Sequence, residues 1–360
     1  MAVEYQNGLV SVIVPTYNRG PVLLKALESI YAQDYRPIEV IVVDDGSTDN
    51  TGETVQKWAD SRSLQLTFIV KYLFQTNKGA AAARNIGLPE SRGEFIQFLD
   101  SDDLLAGGKL AAQVRALRAH PEYQGAYCSW RSLFDASIIE YGPLRQKEAE
   151  QSEDSMLRGY LAGSWFVPLH AYLFVRRAVL DVGPWSFDLV VEDDTDYLIR
   201  MLLNGCKFLY VPEGLVFYRR HFGTHVSSLR REGLLLKQMQ ATTRVRENAF
   251  AILEDRGLAA MYGNEFRAWF ERTLTCASEF GEKLSTQAVN PAFQKMLSGV
   301  DIDHKKIIVG RLIRAVAGLY LVRLFRYKIG DCAIMWLSAY CKKLKEGMIC
   351  FAHNLIGKVR

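Results

Sequence analysis

Three carboxylates stand within four residues at Asp100-Ser101-Asp102-Asp103, directly after the apolar run Phe95-Ile96-Gln97-Phe98-Leu99. Two carboxylates about 4 Å apart repel by about 1 kcal/mol in water and about 4 kcal/mol at the effective dielectric of a protein surface, so a cation among them is favoured. A hard divalent ion suits oxygen donors. Mg²⁺ commonly takes one or two carboxylates and fills its shell with diphosphate oxygens. The plainer alternative is that the acidic turn caps a helix expected over 108–120. A second acidic group, Glu192-Asp193-Asp194-Thr195-Asp196, opens a stretch with apolar residues at helical spacing that stops at Asn204-Gly205. Carboxylates there complement the positive end of a helix dipole.

The elements that must position these groups alternate at βαβ spacing through residue 103. Leu9-Val10-Ser11-Val12-Ile13-Val14 and Ile38-Glu39-Val40-Ile41-Val42-Val43 are near-continuous apolar runs, the pattern of strands buried on both faces of a parallel sheet. Helices are expected over 21–33 and 49–60, a strand over 66–70, and a third helix from Asn77-Lys78-Gly79 onward. The first two strands end at Pro15-Thr16-Tyr17-Asn18 and Asp44-Asp45-Gly46-Ser47. Ligands bind outside the carboxyl ends of such sheets, so these turns and the 100–103 cluster are expected on one rim. Beyond residue 124 the pattern is irregular, with short apolar runs at 126–128 and 171–175, a polar stretch at 145–154 read as an exposed loop, and strands at 208–211 and 215–218.

About half of the 360 residues are hydrophobic (49%) and 23% are charged, which describes a folded chain of one or two domains. A net charge of +4 is too small to argue for nucleic acid as a partner. Cys128, Cys206, Cys276, Cys332, Cys341 and Cys350 form no C-x-x-C pair, so free thiols in a reducing cytoplasm are expected. Neither a signal peptide nor a membrane span is expected.

Val12-Ile13-Val14-Pro15-Thr16-Tyr17-Asn18, Val42-Val43-Asp44-Asp45-Gly46-Ser47-Thr48-Asp49, Asn77-Lys78-Gly79 with Ala83-Arg84-Asn85, and Phe98-Leu99-Asp100-Ser101-Asp102-Asp103 resemble, in order and spacing, the motifs of family 2 glycosyltransferases, the inverting GT-A enzymes. The resemblance covers about the first 225 residues. It implies a GT-A, Rossmann-like, mostly parallel sheet flanked by helices over 1–228, followed by an α-helical C-terminal region over 229–360. It also implies a nucleotide-sugar donor (a UDP-sugar foremost), Mn²⁺ or Mg²⁺, and a glycan or lipid-linked acceptor, as in cell-surface polysaccharide or glycolipid synthesis.

Carried over residue by residue, the resemblance gives Pro15, Thr16, Tyr17, Asn18 and Asp45 to the nucleotide, with Tyr17 stacking on the base. Lys78 and Arg84 go to the diphosphate, Asp100 and Ser101 to the ribose or sugar, and Asp102 to the metal, with Asp103 supporting either. In the acidic pair, Asp194 is the base, and a one-residue shift to Asp193 stays open because Glu192 precedes the pattern. Tyr218-Arg219-Arg220-His221 resembles the segment that closes over the diphosphate, where His221 completes the metal shell. Trp165 and Trp185 are candidates to stack on an acceptor sugar.

Residues 301–360 hold twelve Lys/Arg against four Asp/Glu among apolar runs. That composition suits peripheral contact with an anionic membrane face, or a helical subdomain packed on the core or on a second copy in a homo-oligomer. Two rivals remain at this level: a sugar-phosphate nucleotidyltransferase, and a nucleotide-sugar-binding protein without turnover.

Overall fold

A computed structural model describes residues 5–62, 66–135, 139–141, 144–145, 154–189, 191–220 and 234–279. Its strands are β1 (Gln6–Thr16), β2 (Ile38–Asp44), β3 (Phe68–Phe74), β4 (Gly93–Phe98), β5 (Leu104–Leu105), β6 (Gly125–Asp135), β7 (Ile139–Tyr141), β8 (Leu173–Val175) and β9 (Phe208–Arg220). Its helices are α1 (Gly20–Tyr31), α2 (Thr51–Asp60), α3 (Ala80–Glu90), α4 (Lys109–Ala119), α5 (Ser155–Leu161), α6 (Arg176–Val182), α7 (Asp193–Leu203), α8 (Leu234–Asp255) and α9 (Gly263–Glu279). The chain divides into two compact units, 1–265 and 266–360, so α8 lies in the first. Residues 301–360 lie outside the described residues, and so does the expectation placed on them.

One sheet runs in the order β3-β2-β1-β4-β8-β6-β9-β5, with β7 paired to β6. The first four strands are parallel. β8 joins β4 and β6 antiparallel, while β6 and β9 are parallel. The parallel half matches its sequence expectation because β1 from Gly8 on and all of β2 are buried, as two-sided burial of their Val/Ile runs requires.

The second half departs from expectation. A single 11-residue strand, β6, stands where only a short run at 126–128 was expected. Pro212-Glu213-Gly214 does not separate two strands; β9 runs through it, with a register shift against Tyr127/Ser129. A bulge accommodates the proline that a regular ladder would exclude.

β1 leaves through α1 towards β2 and β3, whereas β4 is reached by α3 crossing back to the other side of β1. The crevice between the carboxyl ends of β1 and β4 is therefore the topological switch point of the sheet, where open α/β sheets bind ligands.

Candidate active site

At the end of β1, Thr16 is buried and its Oγ1 has no hydrogen-bond partner among the described residues. Tyr17 is 46% exposed on the rim, which suits it to stack on a base. Asn18 adopts a positive φ of 49° and spends its side chain on architecture. Its Oδ1 accepts from Thr48 N at 2.7 Å and Asp49 N at 3.3 Å, and its backbone N–H donates to Ser47 Oγ at 2.8 Å. The turns after β1 and β2 are thereby tied together.

Asp45, buried just after β2, accepts from Gln75 Nε2 at 2.5 Å, Lys78 N at 2.8 Å and Gly79 N at 2.7 Å. A carboxylate accepts about four hydrogen bonds, so one position is left for a base edge. Gly79 precedes α3 with φ 93°, and a Cβ added there would meet nothing within 4 Å. The N-terminus of α3 is open to an anion, and Lys78 stands exposed beside it.

Arg84 does not face that opening. Gly87, one turn on, lets α3 lie against β1, where an added Cβ would come within 2.7 Å of Ile13 Cγ2. Arg84 is thus 4% exposed, and its guanidinium forks: Nη2 donates to Asp100 Oδ1 at 2.6 Å and Nη1 to Asp193 Oδ2 at 2.7 Å. Burial works against its charge, but Asp100 and Asp193 hold it firmly protonated. The residue expected at the diphosphate is, in this structure, a buried tie between the acidic turn after β4 and the head of α7.

Trp185 floors this tie. Its ring lies 4.6 Å from the Arg84 guanidinium carbon and stacks parallel on Tyr197 at 4.0 Å, with Phe98 edge-on at 5.0 Å. At 1% exposure Trp185 offers no face to a sugar. Trp165 is likewise buried, against Tyr127 and Tyr160. Both acceptor-stacking expectations are corrected: these rings are core.

The acidic turn does not cap the following helix. α4 starts after Gly108 at φ 79° with no side-chain cap, which removes that alternative. Within the turn the side chains divide. Asp103 is buried, with Oδ2 3.0 Å from His170 Nδ1 and Oδ1 accepting from Arg219 N at 2.7 Å; Arg219 Nε in turn donates to Asp102 O at 2.6 Å. Burial raises the pKa of Asp103 and His170 opposes the rise. Ser101 is also buried. Asp100 and Asp102 reach the rim, their side chains 39% and 21% exposed, and Asp102 pairs with Arg19.

Two rim carboxylates are the number that Mg²⁺ commonly takes from protein before it adds diphosphate oxygens, and each is held here by an arginine, Asp100 by Arg84 and Asp102 by Arg19. Among the described residues no three His, Cys, Asp or Glu side chains gather for a metal. His221 lies outside the described residues.

At the head of α7 the three acids have different partners. Glu192, in a left-handed conformation at φ 65°, pairs with Arg246 Nη1 at 3.1 Å. Asp193 takes Arg84. Asp194 accepts from Thr195 N at 2.8 Å, and among the described residues no cation pairs with it. Burial, then Asp193 and Glu192, push Asp194 up to about 7, while Asp193 is raised by burial against the pull of Arg84. A carboxylate titrating near 7 can take a proton at neutral pH.

His170 and Arg19 were not anticipated. Arg19 adjoins the Pro15–Asn18 motif, which was its only signal; His170 sits in an apolar run, where a buried imidazole needs a partner that sequence does not show.

The fold and this rim describe an α/β enzyme with its site at a sheet switch point. The description "Glycosyl transferase family 2" matches residues 11–181. Over 275 residues the chain is 34% identical to a GalNAc(5)-diNAcBac-PP-undecaprenol beta-1,3-glucosyltransferase of Campylobacter jejuni, covering 75% of this chain and 80% of that protein. It is 40% identical over 219 residues to the UDP-Glc:alpha-D-GlcNAc-diphosphoundecaprenol beta-1,3-glucosyltransferase WfaP of Escherichia coli, covering 60% of this chain and 79% of that one. Five further curated glycosyltransferases are matched over less than half of their own length, while GlyG of Streptococcus pneumoniae, 29% identical over 226 residues, is matched over 72% of its length.

Among solved structures, S. aureus TarS 1-349 in complex with UDP-GlcNAc shares the fold, with a TM-score of 0.57 at 20% identity over 86% of this chain and 83% of that one. The chain belongs to glycosyltransferase family 2 and has the GT-A fold. It is a glycosyltransferase.

Proposed function

We propose that this enzyme moves a sugar, with inversion, from a nucleotide-diphosphate donor to a hydroxyl of a lipid-linked glycan acceptor in surface polysaccharide or glycolipid synthesis. The two relatives with lipid-diphosphate names support the acceptor class, and one of those names specifies a UDP-glucose donor. The observation that carries the reading is the division of acids around Arg84. Asp100 is held at the switch point, Asp193 is neutralised, and Asp194 is left to titrate at about 7.

In this reading Tyr17 stacks on the base and Asp45 takes its edge, while Lys78 and the N-terminus of α3 meet the diphosphate. Asp102, with Asp100 beside it, would hold Mn²⁺ or Mg²⁺, which when bound neutralises charge on the departing diphosphate. Asp194 accepts the proton of the acceptor hydroxyl as its oxygen attacks the anomeric carbon, and the bond to the diphosphate breaks on the opposite face. Arg84 fixes the geometry between the donor side and the base, which is the orientation component of catalysis.

The test is a panel of UDP-, GDP- and dTDP-sugars with Mn²⁺, read by nucleoside diphosphate release and by thermal unfolding. A donor at a hundred times its dissociation constant stabilises by about 2.7 kcal/mol. One nucleotide class should both protect and turn over. A panel in which none does either rejects the proposal. Family membership takes the place of the nucleotidyltransferase alternative.

A further inference from the structure

With Trp165 and Trp185 buried, the acceptor side lacks the stacking residue that the sequence offered. We propose that Phe166 is that residue: its exposed face is the platform for a pyranose ring of the acceptor. The inference rests on the transfer reading above.

Phe166 is 46% exposed, in the segment that joins α5 to the turn at Leu169–Ala171. Its ring is braced by Trp130 at 6.1 Å, edge-on, and by Tyr218 at 5.9 Å. Tyr218 stacks on His170 at 6.1 Å, and His170 holds Asp103 of the acidic turn. Burial first, and then the charges of Asp103, Asp194 and Asp100, push the Tyr218 hydroxyl up, so this ring lies within electrostatic reach of Asp100 and Asp194. A ladder of rings thus runs from the acidic turn and the base outward to one exposed aromatic face.

An aromatic braced in this way loses little freedom when a ligand covers it, which favours binding. The C–H face of a sugar is the matching chemistry, being flat, weakly apolar and rimmed by hydroxyls. Phe187 is more exposed, at 77%, but among the described residues no ring packs against it. Tyr17 belongs to the opposite, donor side.

The test uses saturation-transfer NMR with the methyl pyranosides of glucose, galactose, GlcNAc and GalNAc, alongside UDP binding and UDP-sugar hydrolysis without acceptor. In the wild type at least one pyranoside should bind. Phe166→Ala should weaken it by about twofold to about tenfold, the range that a stacking contribution of about 0.5–1.5 kcal/mol gives. Phe166→Tyr should restore it, and both variants should keep wild-type UDP binding and hydrolysis.

The proposal is overturned if no pyranoside binds the wild type, or if Phe166→Ala leaves binding unchanged. It is also overturned if Phe166→Ala and Phe166→Tyr lose UDP binding together with the sugar, because Phe166 would then support the donor pocket. Absence of donor hydrolysis and UDP binding in the wild type is a separate result and rejects the transfer reading instead.

Discussion

Neutralising Asp194 and Asp193 in turn separates the base from its neighbour. Asp194 titrates at about 7 in the folded protein, raised from 3.8 by burial first and by Asp193 second. A base works in its charged form, so wild-type kcat/KM should climb about tenfold per pH unit below 7 and level off above it. Asp194→Asn should remove that limb and cost about 10²–10⁴ in rate, or about 3–5 kcal/mol, with donor binding retained.

Asp193→Asn should act in the other direction. Removing the second cause of the rise, and leaving Arg84 less compensated, both favour the charged form of Asp194. The limb should therefore move down, by about one pH unit, equivalent to about 1.4 kcal/mol. At pH 6 the variant would then run at about half of its own plateau, against about a tenth for the wild type, a fivefold relative gain. The assay is initial rate against pH from 5 to 9 at subsaturating acceptor. If Asp193→Asn erases turnover while Asp194→Asn keeps it, or if the limb moves upward, the assignment made here is refuted.

Arg84→Met should destabilise the fold by about 3 kcal/mol in urea unfolding, since it strands the Asp193 carboxylate in a buried setting, while the more exposed Asp100 arm is screened. A loss below about 1 kcal/mol would show the tie to be solvated. Arg19→Met removes a competing cation from Asp102 and should tighten Mn²⁺ binding several-fold in the presence of UDP, read by electron paramagnetic resonance; weaker binding would assign Arg19 to the donor instead. Asp102→Asn should abolish metal-dependent donor hydrolysis with an unchanged thermal midpoint, and retained hydrolysis would remove Asp102 from the metal.

The parallel half of the sheet was legible because Val/Ile runs buried on both faces have few other readings, and the switch point follows from their order. The rim motifs were legible for the same reason: chemistry places carboxylates after strands. Partners across the sequence were not. Arg84 and Asp193 are 109 residues apart, and nothing local shows that a helix cation will meet a helix-head acid. Aromatic burial was equally opaque, since Trp165 and Phe166 are neighbours of opposite fate. Lys109 is the extreme case: fully buried, its ammonium donates to Gln97 and, at 3.2 Å, to Tyr172 O, and burial lowers it to about 7. A lysine at a helix start reads from sequence as solvent-facing.

The fork of Arg84 also constrains re-engineering. Its two arms reach into segments that breeders of chimeric enzymes would treat as separable cassettes, one ending after residue 103 and one beginning near 185. A hybrid that imports a foreign acceptor cassette without an acid at the position of Asp193 would leave one arm of the buried guanidinium unmatched at its seam, with Asp100 still on the other. Such hybrids should be less stable than either parent until that acid is restored, so the most robust crossovers should be those that keep both ends of the fork from one parent.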